Sequence, residues 1–425
     1  MKLSLSPKVW SLAWPIILSN SSIPLLGLVD TAMVGHLPTP NDIAAVALGT
    51  MVFDVIFWCF GFLRMSTTAI SAQESDSNDI FFQSCLIGFG LGLILLLIHP
   101  IIKSLAFQII DIEPAVEMLF GSYFDVRIYS AIPTLLNYVI YGFFFGRQNT
   151  KIPLLLLLFT NITAMMLDYI FVWHLKLGAQ GIAWANLVTQ TMSALLGLIA
   201  IYQIYLKKSF QLPRPLFTLT RTKKLFSLNT DIFIRTLLLV LTTAFFTRQS
   251  AYLGTTIVAA NMILMNFQMI ASYALDGFAI AAETLVGQAV GQNDQQALLK
   301  KVKACALWSI LFSSLLTLFY FLFGGMLIDL QTSIPDIKAT AHQYLFWIIV
   351  LPILSAPGFL FDGVFIGAAW SKQLRNAIIV SSILIFFPVW YFTQPLGNTG
   401  LWLAYVGFIV CRGLYLGYSF TKKLD

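Results

Sequence analysis

Residues 16–37 read Ile16-Ile-Leu-Ser-Asn-Ser-Ser-Ile-Pro-Leu-Leu-Gly-Leu-Val-Asp-Thr-Ala-Met-Val-Gly-His-Leu37. The stretch is long enough to cross a bilayer, which takes about 20 mostly apolar residues. It carries one carboxylate, Asp30, near its end. A charge at bilayer depth costs roughly 2.5–3.5 kcal/mol on insertion scales, so such an acid marks function by default. Asp168 repeats the pattern within the run Leu154–Leu175. Two isolated acids in apolar helices point to a site for protons or cations.

The rest of the chain has the same character. Of 425 residues 58% are hydrophobic and 10% charged, and the mean hydropathy is +0.82, which excludes an ordinary soluble protein. Spanning-length runs lie at about 9–35, 43–73, 84–106, 115–146, 152–175, 180–206, 227–252, 256–290, 298–325, 339–369, 376–394 and 399–420. Period-2 alternation is absent, which argues against a membrane β-barrel. The expected fold is an all-α membrane protein of twelve transmembrane helices. The first run contains Pro15, Pro24 and Asp30 and no small-residue cleavage site follows it, so it reads as a retained helix and not a signal peptide. Cys59, Cys85, Cys305 and Cys411 form no C-x-x-C pair and read as buried thiols, with no structural metal.

The net charge of +6 follows topology and does not indicate nucleic acid. With twelve helices, one set of loops holds 17 Lys and Arg residues, six of them in Lys207–Lys224, and the opposite set holds Lys103, Lys176 and Lys338. This bias places both termini in the cytoplasm.

Two halves share one design. The polar stretch Lys207–Lys224 divides the runs six and six, giving an N-lobe at 1–206, a linker at 207–226 and a C-lobe at 227–425. Gly142-Phe-Phe-Phe-Gly146 in the first half matches Gly363-Val-Phe-Ile-Gly367 in the second; Leu177-Gly178 matches Leu396-Gly397. Residues 69–79 match 284–294. The matches fall in order at an offset of 215 to 221 residues, which predicts a duplicated six-helix unit. An even number of helices per unit implies pseudo-two-fold symmetry about the membrane normal. The G-x-x-x-G pairs read as close helix packing.

Candidate residues follow from polarity within apolar runs. Asn161 and Asp168 lie seven residues apart, two turns along one helical face, and Asn186 adds a carbonyl to the next helix. With Asp30 they form an oxygen-only set suited to a proton or a hard cation such as sodium. Pro15 and Pro24 mark a bendable first helix. Asn20, Asn137, Asp276, Asp362, Arg64 and Arg127 are candidates for a substrate cavity; Glu283 is a further buried acid of the second half. Asp231 and Arg235, one turn apart, predict a local ion pair, and Arg248 near a helix end predicts snorkelling. His36, His99, His174 and His342 lie at helix ends and read as interfacial anchors. There is no H-E-x-x-H, no phosphate-binding G-x-x-x-x-G-K-[ST] and no G-x-S-x-G, so an enzyme is not expected.

At several of these segments the chain resembles the MATE (multidrug and toxic compound extrusion) family, specifically its DinF-like branch. The segments are Pro24–Leu37, Gly61–Thr68, Val126–Pro133 with Asn137, Leu167-Asp168, Asp231–Thr236, Leu275–Ala279 and Asp362–Ala368. The resemblance implies paired six-helix lobes that export organic, often cationic compounds in exchange for H⁺ or Na⁺. It implies no other cofactor, and action as a monomer in the lipid bilayer on small-molecule organic substrates. It also makes Asp30 and Asp168 the coupling acids. Ala164 stands where the family usually has Asn, and Asn186 where it has Thr, which leaves both H⁺ and Na⁺ open. The alternative is a flippase for lipid-linked saccharide precursors, whose anionic cargo would need arginines such as Arg64 and Arg127.

Overall fold

The computed structural model describes residues 6–34, 40–74, 78–110, 114–207 and 219–424. Those residues are almost entirely helical and contain no strand. Lipid offers no partner to backbone N–H and C=O groups, so an apolar chain must satisfy them within each helix. Among the described residues eleven stretches are long and apolar enough to span: α2 Asn41–Gln73, α3 Asp79–Leu97, α4 Val116–Gly146, α5 Lys151–His174, α6 Gly178–Leu206, α7 Leu225–Tyr252, α8 Thr255–Gly291, α9 Gln295–Gln331, α10 Pro335–Gly367, α11 Ser371–Leu396 and α12 Asn398–Leu424. With α1, Pro7–Val34, they make the expected twelve. The expected third run, 84–106, is instead two helices: α3 ends at Leu97 and a short helix, His99–Ile110, follows.

Several helices depart from α geometry, each locally. In α4 a 3-10 turn spans Ile128–Ser130. Pro133 explains it, because proline has no N–H to offer the carbonyl four residues earlier. π turns occur at Ile170–His174, Tyr202–Leu206 and Val380–Phe386. α1 runs unbroken through Pro15 and Pro24.

The chain separates into two compact units, residues 18–225 and residues 226–425 together with 1–17. Most of the expected linker, 208–218, lies outside the described residues. In the later unit the start of α1 packs on α8 and α9: Trp10 stacks on Trp308 at 5.1 Å, and Trp308 Nε1 donates to Ser6 O at 3.1 Å. A core of Phe246, Phe267, Tyr320, Trp402 and Phe408 holds that unit together. It is joined by a polar knot in which Asn261 and Asn398 exchange hydrogen bonds of 2.7 and 3.0 Å.

The repeat read in the sequence reappears as contacts. A side chain on Gly142 or Gly146 of α4 would strike the carbonyls of Arg64 and Thr68 on α2. A side chain on Gly363 or Gly367 of α10 would strike the carbonyls of Ala279 and Glu283 on α8. The second set lies 221 and 215 residues beyond the first, the offsets of the sequence matches. Backbone conformation repeats as well: Gly178 and Gly397 have φ of +57° and +56°, and Gln148 and Ala369 have +60° and +56°. All four cysteines are free.

Candidate functional site

Within the unit 18–225, α4, α5 and α6 are tied by a ladder of polar side chains. Asn137 Nδ2 donates to Gln190 Oε1 at 2.8 Å and to Gln190 O at 3.0 Å. One turn further along α4, the Tyr141 hydroxyl meets Ser193 Oγ of α6 at 3.3 Å and hydrogen-bonds Thr160 of α5. Asn161 is the residue after Thr160, and Asn161, Ala164 and Asp168 are all buried along one face of α5. Asp168 is 1% exposed. It sits two residues before the π turn of α5, which continues to His174. π turns are frequent where a helix must aim a functional side chain. Asn186 of α6 turns its amide onto Ile182 O at 3.0 Å.

Asp30 and Pro24 belong to α1, but their side chains lie outside the described residues. Asn20 of α1 and Asp276 of α8 are half-buried. Glu283 is buried on α8.

The interior arginines have partners that sequence reasoning did not identify. Arg127 Nη1 donates to Ser130 Oγ at 2.7 Å, and its guanidinium lies 5.7 and 5.5 Å from the Phe53 and Phe57 rings. Tyr123 hydrogen-bonds it, and Asp54 is its acidic neighbour. Arg64 stands 5.9 Å from the Phe145 ring. Tyr138 faces Asp54, Arg64 and Arg127 together. Asp54 carried the same signal as Asp30 and Asp168, a lone acid in an apolar run, and belongs with them as a candidate.

In the later unit the expected Asp231–Arg235 pair is not formed. Asp231 instead accepts from Arg375 Nη1 at 2.7 Å and from Ser371 Oγ at 2.6 Å. Arg235 donates to Asp362, and Arg412 approaches the same carboxylate at 3.6 Å. Asp362 is therefore the counter-ion of two arginines. A carboxylate approached from another helix by a planar guanidinium competes well with one on the same helix, because guanidinium geometry suits head-on pairing. Arg248 is exposed and donates to Tyr252 at 3.2 Å, as a snorkelling residue does. The histidines His99 and His342 sit in exposed groups with Asp125 and Asp329.

The MatE family model matches residues 15–170 and 232–392, one stretch in each half of the chain. The chain belongs to the MatE family. DNA damage-inducible protein F of Escherichia coli K12 is 36% identical over 417 residues, covering 96% of this chain and 90% of that protein. A probable multidrug resistance protein NorM of Shewanella oneidensis is 28% identical over 425 residues, covering 94% of this chain and 87% of its own length. A MATE transporter solved in an outward-facing conformation superposes with a TM-score of 0.89 at 20% identity, covering 98% of this chain and 96% of its own. The likeness in sequence places this MatE chain on the DinF-like branch, as a multi-pass membrane protein.

Proposed function

We propose that this MatE protein is a secondary active multidrug exporter. It carries organic, often cationic compounds outward in exchange for H⁺ or Na⁺ by alternating access, with no other cofactor. The observation that carries the reading is Asp168: a carboxylate 1% exposed, on a helix of a transporter family, sharing a face with buried Asn161. A carboxylate in such a place is costly unless it is hydrogen-bonded, paired, protonated or holding a cation. Its charge state is then coupled to what it binds, which is the requirement for exchange. The name of the Shewanella relative, a probable multidrug resistance protein, supports the class of cargo.

In this scheme Asp30 and Asp168, with the oxygens of Asn161 and Asn186, form the coupling site, and α1 bends at Pro15 or Pro24 as that site loads. A membrane potential of 100 mV supplies roughly 2.3 kcal/mol per charge moved fully across, enough to bias one protonation step. The protein works as a monomer in the bacterial inner membrane with both termini in the cytoplasm. The flippase alternative loses its motive at Arg64 and Arg127, which stand against aromatic rings, and the comparisons lend it no support.

The test is transport by the purified protein in proteoliposomes under imposed pH and sodium gradients. Uptake of a cationic dye driven by one gradient and lost in Asp168→Asn supports the reading. Equal uptake with neither gradient, or with the variant, overturns it.

A further inference from the structure

The unit of residues 226–425 with 1–17 buries two arginines against one carboxylate. Arg235 of α7 donates through Nη2 to Asp362 Oδ2, and Arg412 of α12 holds its own Nη2 3.6 Å from that same oxygen. The three side chains are 11%, 6% and 4% exposed for Arg235, Asp362 and Arg412. Their formal charges sum to one positive charge.

Around Arg412 no further acid cancels it. The charged and titratable neighbours of Arg412 are Asp362, Arg235 and Tyr405, and a tyrosine is neutral at ordinary pH. The Phe359 ring at 5.4 Å attracts the guanidinium but carries no net charge. The Nε of Arg235 and the Nε of Arg412 are both buried without a hydrogen-bond acceptor. Gly358 stands against the second of them: a side chain there would come 3.1 Å from Arg412 Nε and Nη2. The unit's other interior pair contrasts with this group. Asp231 meets Arg375 one to one, with Ser371 satisfying its second oxygen.

Arginine does not relieve such an excess by losing its proton. A lysine or histidine could become neutral; a guanidinium at this depth must find an anion. We propose that the Arg235–Asp362–Arg412 cluster binds a small monoanion, chloride or the carboxylate of an organic molecule, with the two orphaned Nε–H groups as donors. Asp362 then acts as the fixed half of the counter-charge and the bound anion as the exchangeable half. The same two guanidiniums repel cations, so this unit does not take a coupling ion at Asp362. The proposal is independent of the export reading, because it concerns binding and not transport.

The experiment follows thermal unfolding of the purified full chain in detergent by tryptophan fluorescence. Sodium sulfate, a dianion without a carboxylate, is replaced stepwise by sodium chloride, and in a second series by sodium acetate, at constant ionic strength. A saturable rise of about 3 °C or more in the midpoint is expected in at least one series. Chloride alone identifies a halide site, acetate alone a carboxylate site, and both together a site that reads charge. Arg412→Gln removes the excess charge and should lose the response. Asp362→Asn removes the fixed competitor and should lower the half-saturating concentration about tenfold or more. A wild-type midpoint indifferent to both anions overturns the proposal, since water then satisfies the Nε groups. A response retained in Arg412→Gln also overturns it. If that variant does not fold, an unchanged half-saturating concentration in Asp362→Asn does the same.

Discussion

Arg235 donates to Asp362, 127 residues further along the chain, and not to Asp231, one turn before it on the same helix. Asp231 in turn is taken by Arg375, 144 residues away. The exchange of partners ties α7 to α10 and to α11, where a local pair would have tied α7 only to itself.

These pairings predict which substitutions are coupled. In double-mutant cycles on thermal stability in detergent, Asp231→Asn with Arg375→Gln should show a coupling of about 1–2 kcal/mol. Asp231→Asn with Arg235→Gln should be additive within roughly 0.5 kcal/mol. The reverse ranking would restore the local pair.

Close backbone approach predicts where a single methyl group matters. Gly363→Ala pushes a Cβ into the Ala279 carbonyl and should cost about 1–3 kcal/mol as overpacking. Gly90→Ala has nothing within 4 Å of its added Cβ and should be neutral or slightly stabilising through helix propensity. Unfolding midpoints of the two variants, side by side, decide this.

Asp168→Asn should fold and insert like the wild type, because the amide is isosteric, yet lose gradient-driven transport. The pH dependence of its residual activity should flatten, since the titrating group is gone. Wild-type rates and pH profile in proteoliposomes would make Asp168 a structural residue.

Asp30→Asn mimics the protonated acid and should be expressed normally but fail to export. Efflux and drug tolerance compared in cells at matched protein levels give the answer. Full tolerance would reduce Asp30 to a hydrogen-bonding group of α1.

The density of Lys and Arg in Lys207–Lys224 predicts that this loop faces the cytoplasm. A cysteine replacing Ser209, with the four native cysteines removed, should escape an impermeant thiol reagent applied to intact cells. Strong labelling from outside would invert the topology.

Much of this was readable from the chain alone. Twelve spans follow from hydropathy, because lipid accepts only helices that satisfy their own backbone. The duplication follows from paired glycines and turn residues, because tight packing and positive φ restrict what can stand at those positions. That is why Gly142 and Gly363 meet the carbonyls of a neighbouring helix in each half, and Gly178 and Gly397 share a positive φ. Asp168 and Asn161 were found as a pair because helical periodicity alone puts them on one face.

Partnership across helices was not readable. Lone charges announce themselves in an apolar run, so Arg127, Arg235 and Asp362 were visible as residues needing company. Which acid meets which arginine depends on helix rotation and depth, and spacing within one helix carries no information on either. The sequence by itself determined the helices, their repeat and the polar groups they must accommodate. Only the tertiary structure decided that Asp54 stands with Arg127 and that Arg235 and Arg412 share Asp362, because a buried charge takes its counter-ion from whichever neighbouring helix brings one within reach.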